Sequence, residues 1–157
     1  MKSSVTQHEL NTADEKVETK WPSHKQILKE GESENDHFKE REGLKYAGEH
    51  LIIDIWDATH LDDLKLMEDT LRDAVEVSGA TLLHIHLHHF TSTGGISGVA
   101  VLAESHISVH TWPEKNYAAF DVFMCGDAEP EKTISIFQKA FYSNNIKVKE
   151  ILRGIEL

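Results

Sequence analysis

From His50 onward the apolar residues of this 157-residue chain fall into two alternating periods, and their order limits the folds open to it. "HLIIDIWD" is rich in β-formers and predicts a first strand. "DDLKLMEDTLRDAVEVSGA" then spaces Leu64, Met67, Leu71, Ala74 and Val75 as one face of a helix, with Gly79 as its stop. "TLLHIHLHHF" returns to period two and predicts a second strand. The polar link "TSTGG" leads to a third apolar run, from Ile96 through "AESHISVHTWPE". After a turn at Pro113 to Asn116, "NYAAFDVFMCG" predicts another strand. "DAEPEKTISIFQKAFY" follows as a helix, with Asp127 as its cap and Ile134, Phe137 and Phe141 as its apolar stripe. "IKVKEIL" is a last strand, ending near Arg153 and Gly154. The order is β-α-β-β-β-α-β. Short links and an excess of strands predict an α+β fold: a two-layer sandwich of a mainly antiparallel sheet with helices on one face.

Residues 1 to 47 have a different texture. "EGESENDHFKEREG" offers too little apolar surface to offset its ordering entropy. The segment is expected to be a disordered extension, with Trp21 and Ile27 as its possible docking residues, ahead of one domain over 48–157. Twenty-seven acidic residues against 16 basic ones give a net charge of -11, which disfavours nucleic-acid binding. The start has no apolar stretch that could act as a secretory signal, and no run is long enough to span a bilayer. A single cysteine, Cys125, excludes an internal disulfide framework and makes a reducing, cytoplasmic setting the default.

The chemistry concentrates in "AESHISVHTWPE", where an otherwise apolar segment carries Glu104, Ser105, His106 and His110. Three readings compete. A hydrolase nucleophile normally stands on a sharp Gly-x-Ser-x-Gly turn, and neither Ser105 nor Ser97 has that setting. A metal site has some support from His84, His86 and His88, which alternate and so share one strand face. No cysteine or carboxylate set completes that site, and a polar sheet face or a subunit interface accounts for the same pattern.

Self-cleavage is the third reading. The Ser105 hydroxyl would attack the carbonyl carbon of Glu104, exchanging the amide for an ester through a tetrahedral oxyanion that needs hydrogen-bond donors. Removal of the serine α-proton, for which His110 is a candidate base, then expels the Glu104 carboxylate. The resulting dehydroalanine hydrolyses to a pyruvoyl group. Spacing alone does not support this, because an odd separation places Ser105 and His110 on opposite faces of a straight strand.

"AESHISVHTWPEKNYAAFDVFMCGDAEP" closely resembles the signature of the prokaryotic, pyruvoyl-dependent S-adenosylmethionine decarboxylase proenzymes. "GEHLIIDIWDA", "GATLLHIHLHHF" and "GGISGVAVLAESH" resemble that family's upstream blocks, so the likeness runs from about Gly48 to Gly154. It implies cleavage between Glu104 and Ser105, with Ser105 becoming the pyruvoyl cofactor that forms a Schiff base with the substrate amine. It further implies processing roles for His110 and Ser97, and Cys125 as the catalytic proton donor. Trp112 and Glu114 match positions lining the nucleoside site, with Glu114 on the ribose hydroxyls. Phe90 would pack on adenine from the partner subunit, although "TSTGG" replaces the link that many relatives have after this aromatic.

The same resemblance implies a homodimer of processed αβ units, no metal, and a product that supplies aminopropyl groups for spermidine synthesis. Two alternatives stay open at this point. One is the same pyruvoyl chemistry acting on arginine or ornithine, and the other is an unprocessed, non-enzymatic homologue.

Overall fold

In a computed structural model, residues 38–156 are described. Two short strands, β1 (Lys39–Arg41) and β2 (Leu44–Tyr46), pair as a hairpin. They are followed by β3 (Gly48–Trp56), α1 (Leu64–Ser78), β4 (Leu82–His89), β5 (Ile96–Leu102) and β6 (Ser105–Trp112). A 3-10 turn (Pro113–Lys115), β7 (Tyr117–Cys125), α2 (Lys132–Phe141) and β8 (Asn145–Arg153) complete the order. Strands β3 to β8 form one six-stranded sheet in the order β4-β5-β6-β7-β3-β8, antiparallel at every pairing.

The expected α+β architecture holds, and its cause is the period-two pattern. Leu51, Ile53 and Ile55 of β3, Ile107 and Val109 of β6, and Phe120, Val122 and Met124 of β7 all point to the helical side and are buried. Met67, Leu71, Ala74 and Val75 of α1 meet them there, as do Phe137 and Phe141 of α2. Phe120 stacks on Phe137 with ring centroids 4.2 Å apart. Each large side chain buried this way contributes about 1.5–3 kcal/mol relative to exposure. Helix α1 begins at Asp63, whose carboxylate accepts from the Leu66 N–H at 2.9 Å, and stops at Gly79 with φ +76°. No helix among the described residues is long and apolar enough to cross a membrane.

Three expectations need correction. The run from Ile96 to Trp112 is two strands, so four strands lie between the helices instead of three. The chain reverses between Leu102 and Ser105, which face each other across the β5–β6 pairing. No Gly, Pro, Asn or Asp marks that turn; Glu104 adopts φ +57° instead. Second, Asp127 does not cap α2, because the intervening turn moves the helix start to Lys132, after Glu131. Third, Lys39–Arg41 and Leu44–Tyr46, inside the segment expected to be disordered, form a paired hairpin. Tyr46 is 1 % exposed, and the hairpin's polar side chains find partners far along the sequence, which local composition does not reveal. Trp21 and Ile27 lie outside the described residues.

Candidate active site

The sequence-predicted residues fall into two groups at opposite ends of β6. The first group surrounds the β5–β6 turn. Glu104 sits there in the left-handed region, which costs a non-glycine residue on the order of 1–2 kcal/mol. Ser105, the next residue, is buried, and its Oγ accepts a hydrogen bond from the backbone N–H of Cys125 at 3.1 Å. Cys125 ends β7, and its half-buried side chain lies close enough to Glu104, Lys39 and Ser105 for each to act on its titration. Burial pushes the thiol above its ordinary pKa and the Glu104 carboxylate adds to that, while Lys39 and the hydrogen bond with Ser105 work the other way. A thiol so placed holds its proton at neutral pH, as a proton donor must.

The second group lies on the sheet face that no described helix covers. Ser97 of β5 pairs with His110 of β6, and the Ser97 hydroxyl lies 2.8 Å from His110 Nδ1. Gly98 follows Ser97 for a steric reason. A Cβ at that position would lie 2.3 Å from the carbonyl oxygen of His86, so only glycine allows β4 to pair this closely with β5. Trp112 is 41 % exposed and stacks on Tyr117 at 5.2 Å, which in turn stacks on Trp56 at 4.3 Å. Glu114 follows in the 3-10 turn. At the edge, Phe90 lies 4.5 Å from His88, whose strand position pairs with Ser97. The "TSTGG" link folds back on Phe90, whose carbonyl accepts from the Gly94 N–H at 2.7 Å.

The two groups are not brought together within one chain. Strand β6 pairs without a break from Ser105 to Trp112, so five residues of extended backbone separate Ser105 from His110 by about 17 Å. Their side chains also take opposite faces, as the odd separation dictates.

His84, His86 and His88 occupy one face of the edge strand β4, while Ile85 and Leu87 turn toward the core. Among the described residues, no three His, Cys, Asp or Glu side chains are arranged to hold a metal ion. Three features of the site had no sequence signal. The backbone at Glu104 is one. Another is the set of His50, Ser108 and Asp121, in which His50 Nε2 and Ser108 Oγ lie 3.2 and 3.1 Å from the two carboxylate oxygens. The third is Lys39, which reaches the site from a charged segment read as disordered.

Known proteins resemble this chain over the same strands and helices. The family model described as S-adenosylmethionine decarboxylase matches residues 49–154. An S-adenosylmethionine decarboxylase proenzyme of Thermomicrobium roseum is 39 % identical over 113 residues, spanning 71 % of this chain and 97 % of that protein. A proenzyme of the same name from Methanococcus maripaludis strain C5 is 48 % identical over 115 residues, spanning 71 % and 93 %. The crystal structure of the adenosylmethionine decarboxylase from Aquifex aeolicus VF5 superposes with a TM-score of 0.62 at 28 % identity, covering 71 % of this chain and 94 % of that one.

Proposed function

Because the chain belongs to the S-adenosylmethionine decarboxylase family, we propose that it cuts itself before Ser105 and decarboxylates S-adenosylmethionine at a centre built from two copies. The names of the relatives favour this substrate over arginine or ornithine, and the word proenzyme favours a processed enzyme over an inert homologue. The product, S-adenosylmethioninamine, feeds polyamine synthesis. The lone reduced thiol suits a cytoplasmic enzyme.

The observation that carries the self-cleavage reading is the turn at Glu104. The bond to be broken joins a residue in a disfavoured backbone conformation to a buried serine whose oxygen is already held by a neighbouring N–H. The residues present fit a pyruvoyl precursor: a serine follows the turn, and an acid stands beside it. When formed at position 105, a pyruvoyl group supplies a carbonyl that captures the substrate amine and takes up the electron pair left by departing CO2. Cys125 then delivers a proton to the former α-carbon. Ser97 holds the His110 ring by the 2.8 Å contact, so the imidazole is oriented to remove the serine α-proton during processing. Trp112, Glu114 and Phe90 bind the nucleoside.

The distance between the two groups is what supports a second copy. His110 does not reach Ser105 of its own chain, so the histidine that processes Ser105 comes from the partner. Mixing two inactive variants tests the arrangement. Ser105→Ala chains keep His110, and His110→Ala chains keep Ser105. Co-refolded, they should yield cleavage of the His110→Ala chain, detected by its fragment masses. Absence of cleavage in mixtures whose mixed dimers are demonstrated by native mass spectrometry would place both groups within one chain and sink the two-copy centre.

A further inference from the structure

The hairpin β1–β2 lies ahead of the residues that the family model covers, yet one of its side chains reaches the loop after Cys125. Lys39 Nζ donates to the carbonyl oxygen of Ala128 at 2.7 Å, across 89 residues of sequence. The same ammonium lies 3.2 Å from Glu49 Oε2 on β3, and both side chains are largely buried, at 16 and 10 % exposure. The other oxygen of Glu49 accepts from the Tyr46 hydroxyl at 2.6 Å. Glu49 pairs with Met124 across β3 and β7, one residue from the cysteine. Lys39 therefore joins three elements: the hairpin, the strand beside Cys125 and the loop that leaves it.

We propose that Lys39 is a positioning residue for Cys125, fixing the Gly126–Ala128 loop and keeping a positive charge beside the thiol. The proposal rests on the reading of Cys125 as proton donor. In that step the S–H bond breaks, a C–H bond forms on the product carbon, and the electron pair stays on sulfur. The thiolate regains its proton from solvent before the next turnover. A fixed cation lowers the cost of the charge that appears on sulfur. Among the described residues, the charged and polar groups acting on the thiol are Glu104 from the β5–β6 turn, Ser105 from β6 and Lys39 from β1. Of these, Lys39 alone is cationic. Its importance grows after cleavage, because the released β chain ends at Glu104 and adds an α-carboxylate near the sulfur.

Two measurements on the full chain test this. The first is the pH dependence of Cys125 alkylation by iodoacetamide in a Ser105→Ala background, which needs neither processing nor turnover. Cys125 is the only cysteine, so the signal belongs to one group. Lys39→Met should move the alkylation midpoint to higher pH, and Lys39→Arg should bring it back toward the parent. Should Lys39→Met fail to fold, Lys39→Gln serves in its place.

The second measurement is turnover of the processed Lys39→Met enzyme. Its kcat should fall about two- to fivefold with KM within about twofold, the size of effect expected from one partly screened charge acting in the transition state. An unmoved alkylation midpoint in a folded variant overturns the proposal, even if stability falls, because a purely structural lysine would leave the thiol's titration unchanged. A parent chain that never cleaves contradicts the pyruvoyl reading instead, and the alkylation result stands apart from it.

Discussion

The backbone at Glu104 gives the most quantitative handle on self-cleavage. Its φ of +57° costs a non-glycine residue about 1–2 kcal/mol, and chain scission releases that strain. Glycine adopts the same conformation freely, and its greater unfolded-chain entropy bears on folding and not on cleavage of a folded precursor. At the lower end of that range, the strain relieved on replacing Glu104 by glycine is about 1 kcal/mol. If the strain is discharged on the way to the ester, losing it slows processing about fivefold. Charge must be separated from conformation, so the comparison is between Glu104→Gln and Glu104→Gly. Both remove the carboxylate, and glutamine keeps the Cβ that makes the turn unfavourable. Processing would be followed by intact mass from freshly refolded precursor. Glu104→Gly should cleave about three- to fivefold more slowly than Glu104→Gln. Equal rates, or a faster glycine variant, would refute the idea that the turn's conformation assists cleavage.

Two further outcomes follow from the packing. Tyr46→Phe removes the 2.6 Å bond to buried Glu49 and should destabilise the Ser105→Ala precursor by about 1–3 kcal/mol in urea unfolding. The same environment, burial first and then the bond to Glu49, pushes the Tyr46 phenol up to about 12, and burial with Asp54 does the same for Tyr117. Because both folded values lie above the unfolded value near 10, their contribution is complete below pH 10. Stability should then fall as pH rises from 10 through about 12, less steeply in Tyr46→Phe, as denaturant midpoints across that window would reveal. Gly98→Ala forces a Cβ to within 2.3 Å of the His86 carbonyl, a backbone atom that cannot yield without opening the β4–β5 pairing. It should cost at least about 1–3 kcal/mol and slow processing as well, since Ser97 moves with it.

The layers of the fold were legible because they rest on local periodicity. Met67, Leu71 and Val75 repeat at helical spacing, and Ile53, Ile55, Phe120 and Val122 alternate, so the buried faces follow from the sequence. The β5–β6 reversal was not legible, since "AES" contains none of the residues that relieve a tight turn and Glu104 takes the disfavoured conformation itself. The motif around Ser105 pointed to the candidate site, yet it concealed the geometry. Ser105 and His110 look adjacent in print and stand at opposite ends of a straight strand. The ordered hairpin was hidden for another reason. Lys39 and Arg41 are held by Ala128 and Glu150, contacts that no window of neighbouring residues contains.

Self-cleavage at Glu104–Ser105 is the central claim, and intact mass spectrometry of the purified chain under denaturing conditions tests it most directly. The prediction is two fragments, one ending at Glu104 and one beginning with a pyruvoyl group at position 105, with a single full-length mass for Ser105→Ala. A wild-type chain that keeps its full-length mass after prolonged incubation would contradict it.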